Sequence, residues 1–292
     1  MLKAPPGFDP RVTPWRAEVA AKHLKGKVEA ARFVDGRAME VIAPQTPFHR
    51  EARPDAPLDT EALKGERVTV YEIEEGWARS KLEADGYTGF LPANALGAPG
   101  PAPTHKVGAL RTLVFPGPSI RLPPLEGLAL GCRLAIARIE DAFAITAAGG
   151  YVPARHLVSI DARESDFVAV AERFLGAPYL WGGKTSLGLD CSGLLQVALG
   201  ACGIASPRDS TVQEQALGKE LSIPYSELRR GDLVFWQRHV AIVRDVTSLV
   251  HANAFHMAVA FEPIAQAIAR IRAGGSEVTS MRRLDVTVAS SI

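Results

Sequence analysis

At 292 residues the chain is too long for one ordinary core, so two or three domains are expected, and a hydrophobic content of 47% is ample to fill them. Its 33 basic and 32 acidic residues leave a net charge of +1, which gives no basis for binding nucleic acid or an anionic membrane surface. No run approaches the roughly 18 apolar residues of a membrane span, and Met1 to Pro10 holds no apolar stretch of the signal-peptide kind, so a cytoplasmic location is expected.

Residues 1–35 read as an N-terminal arm with one short helix near Pro14 to Leu24. Residues 36–100 read as a small β-barrel. Arg67 to Glu72 alternates around Val68 and Val70, and turn residues separate it from Glu75-Gly76-Trp77-Ala78 and from Gly86-Tyr87-Thr88-Gly89-Phe90-Leu91-Pro92. The pattern recurs over residues 101–160, in Arg133 to Ile139, Asp141 to Ala144 and Gly150-Tyr151-Val152-Pro153. Aligning Leu91 to Leu96 with Val152 to Leu157 gives an offset of 61 residues (152 minus 91), the mark of two copies of one barrel. Gly97 to Pro103, rich in proline, is a semi-rigid joint between them.

Residues 161–292 carry the chemistry. Asp190 is a good helix N-cap, and Cys191 to Ala201 contains no proline, has an apolar series at Leu194, Leu195, Val197, Ala198 and Ala201, and meets its stop at Gly203. Cys191 then lies in the first helical turn, where unpartnered N–H groups and the positive end of the helix dipole favour a thiolate. Asp232 to Trp236, His239 to Val243 and Ser248 to Ala252 read as strands. A turn centred on Asp245 pairs residues whose numbers sum to 490, which sets His239 opposite His251 on one face. Nucleophile, base and orienting group follow from that arrangement. Zinc bound by Cys191, His239 and His251 is the competing reading, but these residues lack the close ligand pairs of metal sites. Cys202 lies eleven residues beyond Cys191 on the same helix, about 16 Å along its axis and out of disulfide reach, and both Cys202 and Cys132 read as core. Pro263 to Arg272 reads as a late helix with an apolar stripe at Ala265, Ile268 and Ile271.

Five blocks resemble the motifs of the NlpC/P60 cysteine peptidases, in that family's order: Tyr179-Leu180-Trp181-Gly182-Gly183, Asp190-Cys191-Ser192-Gly193-Leu194, Pro207-Arg208-Asp209-Ser210, Gly231 to Phe235 and His239 to Val243. The resemblance covers roughly residues 162–292 and implies an α+β fold, a papain-like NlpC/P60 domain. The two small SH3-like β-barrels that precede it resemble bacterial SH3-type domains. By the resemblance, Cys191 is the nucleophile, His239 the base and acid, His251 the polar third member, and the Tyr179 hydroxyl a candidate oxyanion donor; no metal or organic cofactor is implied. It likewise implies that Asp190, Ser192, Asp209 and Ser210 line the substrate groove, though each is also explained by local capping or a turn. Trp181 is either a groove wall or core. Many relatives have glycine directly before the first histidine; here Gln237-Arg238 stands there, and a cation beside His239 is expected to lower its pKa.

In relatives with this architecture the first barrel caps the groove and holds the free amine of an N-terminal L-Ala, a role for which Tyr87 and Glu66 are the positional candidates. The implied activity is hydrolysis of the γ-D-Glu to diamino acid bond in short murein peptides, in cell-wall peptide recycling. Two alternatives stay open: a catalytically silent module that binds wall peptides, and a papain-like amidase or acyltransferase. Neither the preferred diamino acid nor the oligomeric state is legible.

Overall fold

The computed structural model describes residues 7–285; residues 1–6 of the arm and 286–292 lie outside the described residues. The chain divides into two compact units, Met1–Asp161 and Ala162–Ile292.

In the N-terminal unit, seven strands make one antiparallel sheet in the order Leu58–Leu63, Gln45–His49, Thr88–Pro92, Trp77–Leu82, Arg67–Glu74, Arg37–Val41, Leu96–Gly97. The alternation legible around Val68 and Val70 sends those side chains into a core with Phe48, Ala78, Leu82 and Leu91. At the hairpin Glu74↔Trp77, Glu75 and Gly76 both take positive φ (48° and 82°), the geometry of a two-residue turn that matches strand twist. The arm departs from expectation. Instead of a helix over Pro14 to Leu24, Val19–Ala21 forms a strand parallel to Arg32–Val34, and only Lys22–Leu24 makes a single 3₁₀ turn. Val19, Ala20 and Ala21 are buried in succession, which a helix cannot do with one face. Ala20 and Ala21 cluster with Trp15, Phe33 and Tyr71, and the Arg79 guanidinium donates to the Val19 carbonyl. The arm is thus packed into the unit.

Residues 105–159 repeat the backbone hydrogen bonding of residues 39–97. Val41 donates to the Glu66 carbonyl and accepts from Gly65, as Val107 does with Cys132 and Gly131; Lys64 donates to Pro44 as Leu130 does to Leu110. These pairs lie 66 residues apart (107 minus 41). After them, Ala93–Ala95 and Ala154–His156 form matching 3₁₀ turns at an offset of 61 (154 minus 93), and Ile42 donates to Ala95 as Gly108 does to His156. The second stretch is therefore five residues shorter (66 minus 61) in the middle. The joint between them is tied down, since Gly100 donates to Glu40 and accepts from Arg67.

The C-terminal unit sets helices beside a six-stranded antiparallel sheet. Helix α1 (Phe167–Glu172) is capped by Asp166; α2 (Cys191–Ala201), α3 (Ser210–Ala216) and α4 (Ile264–Ala273) follow. The strands are β1 (Lys219–Glu220), β2 (Leu233–Trp236), β3 (His239–Val243), β4 (Ser248–Asn253), β5 (Ala258–Pro263) and β6 (Val278–Arg283), in the spatial order β1-β6-β2-β3-β4-β5. Helix α2 buries Leu194, Leu195, Ala198 and Leu199 completely and ends at Gly203, whose φ of 75° allows Gly203 and Ile204 to donate back to Gly200 and Leu199. Those bonds satisfy the last carbonyls of the helix that presents Cys191. Helix α4 buries Ile264, Ala267 and Ile268 and packs Ile271 against the same core, so of the expected stripe Ile268 and Ile271 face in and only Ala265 faces out. The same helix carries Arg270, which reaches Glu262 on β5.

Candidate active site

Asp190 anchors the start of α2. Its Oδ1 accepts from the Gly193 amide (2.7 Å), the Ser192 hydroxyl (3.1 Å) and Arg208 Nη1 (2.9 Å); its Oδ2 accepts from the Gly182 amide (2.8 Å) and Arg208 Nη2 (2.9 Å). Arg208 also donates to the Ser192 hydroxyl (2.9 Å) and the Gly183 carbonyl (3.1 Å). Asp190 and Ser192 are therefore buried and hydrogen-bonded to one another. The local capping reading describes Asp190, extended by a buried ion pair with Arg208 that the sequence reading passed over. Gly193 is needed here, since a Cβ on it would meet the Gly183 carbonyl oxygen at 2.3 Å.

Cys191 opens α2 at 7% exposure. Burial, and then the Asp190 carboxylate, push its thiol up to about 12, while N–H groups of Val240 and Ser192 and the Arg208 charge pull the other way. The expected thiolate is thus corrected to a neutral thiol: the helix-end amide of Gly193 is spent on Asp190, and exclusion from water outweighs the rest. The Val240 bond places the sulfur against β3, one residue past His239. Burial also pushes the Tyr179 hydroxyl upward, with Cys191 and Asp190 adding to the effect, so it is a neutral phenol and a potential donor close to the sulfur.

His239 Nε2 and His251 Nδ1 are 3.0 Å apart, with ring centroids at 5.2 Å. The register that brings them together differs from expectation. Ile242 pairs with Val250 and Val243 with Leu249, sums of 492 rather than 490, so the histidines are diagonal neighbours. Since 490 and 492 have the same parity, both side chains keep to one face, and imidazoles are long enough to close the diagonal. Beyond them, His251 Nε2 lies 3.0 Å from Glu262 Oε2 on β5. Arg270 on α4 forks onto Glu262, Nε to Oε1 at 2.9 Å and Nη2 to Oε2 at 2.7 Å. Burial, with the charges of His251 and Arg270, holds His239 down to about 3. Arg238 stands directly before His239 in the chain. Its structural mark is φ = 64°, the left-handed geometry that glycine takes without strain. Arg270 and His251 hold Glu262 down to about 2 against the effect of burial. Neither Glu262 nor Arg270 was anticipated. The spacing from a strand glutamate to a helix arginine eight residues on has meaning only once β5 and α4 are placed.

Trp181 is 59% exposed, so of its two readings the core is excluded. Ser210 begins α3 and is buried, and Asp209 is the half-buried residue ahead of it, whose carboxylate makes no bond to the α3 amides. In the N-terminal unit Tyr87 is 4% exposed within the core cluster, and Glu66 Oε2 accepts from the Leu63 amide at 2.9 Å. Both make contacts within that unit's own structure. His251, His256 and Glu262 bring possible ligand atoms within 4.8 Å of one another, but the Arg270 fork occupies both carboxylate oxygens and sets a cation where a metal would bind.

Residues 176–272 match the model of the NlpC/P60 family, and residues 48–96 match a bacterial dipeptidyl-peptidase Sh3 domain. The chain is 37% identical over 100 residues to dipeptidyl-peptidase 6 of Lysinibacillus sphaericus, a stretch covering 34% of this chain and 36% of that protein. It is 24% identical over 239 residues to the gamma-D-glutamyl-L-lysine dipeptidyl-peptidase of Bacillus cereus, covering 71% of each. A crystal structure of an NlpC/P60 family protein from Bacillus cereus shares the fold, with a TM-score of 0.71 at 19% identity over 85% of this chain and 99% of that one. The chain thus carries an NlpC/P60 family domain over residues 176–272, preceded in sequence by a bacterial SH3-type domain over residues 48–96.

Proposed function

We propose that the C-terminal unit is a cysteine peptidase that cleaves the γ-D-Glu to diamino acid bond of short murein peptides with a free N-terminal L-Ala, in cell-wall peptide recycling in the cytoplasm. The observation that carries it is the 3.0 Å pair of His239 and His251, with His239 on the strand whose Val240 amide reaches Cys191. The name of the Bacillus cereus relative, a gamma-D-glutamyl-L-lysine dipeptidyl-peptidase, supports the choice of bond. A second SH3-type domain over residues 101–160 belongs to the proposal, supported by the repeated hydrogen bonds at Val41 and Val107.

His239 takes the thiol proton as the Cys191 sulfur attacks the γ-carbonyl carbon. The oxyanion is met by the Cys191 amide and the Tyr179 hydroxyl. Its collapse breaks the C–N bond, and the proton on His239 leaves with the amine of the diamino acid. Water activated by the same ring then hydrolyses the thioester and regenerates the thiol. His251 orients His239, and the exposed Trp181 stands at the groove as a wall for the peptide.

Incubation with L-Ala-γ-D-Glu-meso-diaminopimelate tests this. Free diaminopimelate from the parent protein and none from Cys191→Ala is expected. Release of alanine instead points to an amidase of other specificity, no turnover to a binding module, and loss of turnover to a chelator but not to a thiol alkylator to metal chemistry. Cell fractionation tests the location.

A further inference from the structure

The geometry points to Glu262 and Arg270 as positioning residues that fix which nitrogens of the histidine pair carry protons, leaving Nδ1 of His239 bare toward Cys191. This rests on the peptidase reading above and names residues it does not contain. Arg270 donates to both oxygens of Glu262 at 2.9 and 2.7 Å, and its guanidinium lies 4.5 Å from the centre of the Phe255 ring. The carboxylate is thereby fixed in rotation and kept ionised, so it can only accept. Its Oε2 is 3.0 Å from His251 Nε2, so that nitrogen must carry the proton. A neutral imidazole has one N–H, hence His251 Nδ1 is an acceptor. The nitrogen 3.0 Å from it, His239 Nε2, must then be the donor. What remains is Nδ1 of His239 with its lone pair free for a thiol proton.

Without the carboxylate the relay is symmetric. His251 could as well donate from Nδ1 to His239 Nε2, and His239 would then present an N–H to the sulfur, a donor where a base is required. The other ionisable groups beside the pair are Cys191, held against Val240 next to His239, and His256 from the turn between β4 and β5, whose ring centre is 6.5 Å from that of His251 and whose Nδ1 is bonded to Asn253 Oδ1 at 2.9 Å. None of them is a carboxylate, so Glu262 alone among the described neighbours breaks the symmetry.

The test uses the full chain with Glu262→Gln, Glu262→Leu, Arg270→Ala and Arg270→Lys. With the tripeptide above, either Glu262 change is expected to lower kcat about 10- to 100-fold with KM nearly unchanged, the scale found where an outer partner orients a histidine. The acid limb of kcat/KM is expected to move to lower pH, because the anion that favours protonated histidine is gone, and Arg270→Lys should recover part of what Arg270→Ala loses. Imidazole ¹⁵N spectra of Cys191→Ala protein provide a readout independent of turnover. They should show His239 protonated at Nε2 and bare at Nδ1, and mixed tautomers once Glu262→Gln is added. A parent spectrum with His239 protonated at Nδ1, or a Glu262→Leu variant whose kcat and ring signals match the parent, overturns the inference. If no murein peptide is cleaved, the peptidase reading fails by itself, and the spectra still decide the relay.

Discussion

Replacing Arg208 with methionine keeps the length of the side chain and removes its charge. The Asp190 carboxylate receives five hydrogen bonds, from Gly182, Gly193, Ser192 and both terminal nitrogens of Arg208, and the substitution deletes two of them, both charge-assisted. At about 1.5–3 kcal/mol for each bond to a charged group, the loss is about 3–5 kcal/mol, the range for stripping one partner from a buried pair. Asp190→Asn removes the other charge but keeps an oxygen to accept from Gly193, so the double variant should recover about 2 kcal/mol relative to the sum of the single losses. Because the chain has two units, one unfolding transition is not a safe measure. Hydrogen exchange of peptides covering α2 reads the local free energy directly. Additive losses in the double variant would falsify the ion pair as the anchor of this helix.

His239, held down to about 3 from an ordinary value of 6.5, adds a pH term to stability. The unfolded chain takes up a proton below 6.5 and the folded chain does not until about 3. Stability should therefore fall with pH across that window by at most about 1.4 kcal/mol per unit, and His239→Gln should flatten the slope in urea titrations at pH 4 to 7. A thiol pushed up to about 12 should show no thiolate absorbance as pH rises through the ordinary cysteine range near 8.5, and a signal there in the parent but not in Cys191→Ala contradicts the buried neutral state. Arg238→Gly relieves a left-handed φ and should raise stability by about 0.5–1 kcal/mol. The acid limb of kcat/KM in the same variant reports whether the Arg238 charge acts on His239. Gly193→Ala forces its new methyl onto the Gly183 carbonyl oxygen and should cost about 2 kcal/mol or more in α2 exchange, with turnover lost even at temperatures where the chain stays folded.

The parts of this unit written in short-range chemistry were legible from sequence. Asp190 as a cap, Gly203 as a stop and the short apolar runs of β2, β3 and β4 are each decided by neighbours a few residues away. Residues 14–24 failed for the opposite reason. Val19, Ala20 and Ala21 have no helical or strand period of their own, and it is the parallel partner Arg32–Val34 and the Arg79 guanidinium that make them a strand. The repeat was seen only through its last six residues. The matching turns at Gly65 and Gly131 share a backbone path but little sequence beyond the glycine, so the change of offset from 66 to 61 was invisible until the hydrogen bonds were drawn.

The site shows the same division, with a sharper lesson in the two histidines. Their common face survived a wrong register because a strand has period two, and an even slip preserves facing while changing distance. Their ionisation could not be inferred the same way. From sequence, a cysteine at a helix start suggests a thiolate. Burial drives both groups toward their neutral forms, the thiol up to about 12 and His239 down to about 3. One cause, exclusion from water, therefore sets both resting states. Transfer of the proton from sulfur to ring creates two opposite charges side by side in a region of low dielectric, where their mutual attraction is strongest. On the proposed reading, a tight fit around that pair and a fixed direction for the transfer matter more to reactivity than a thiolate held ready in the free protein.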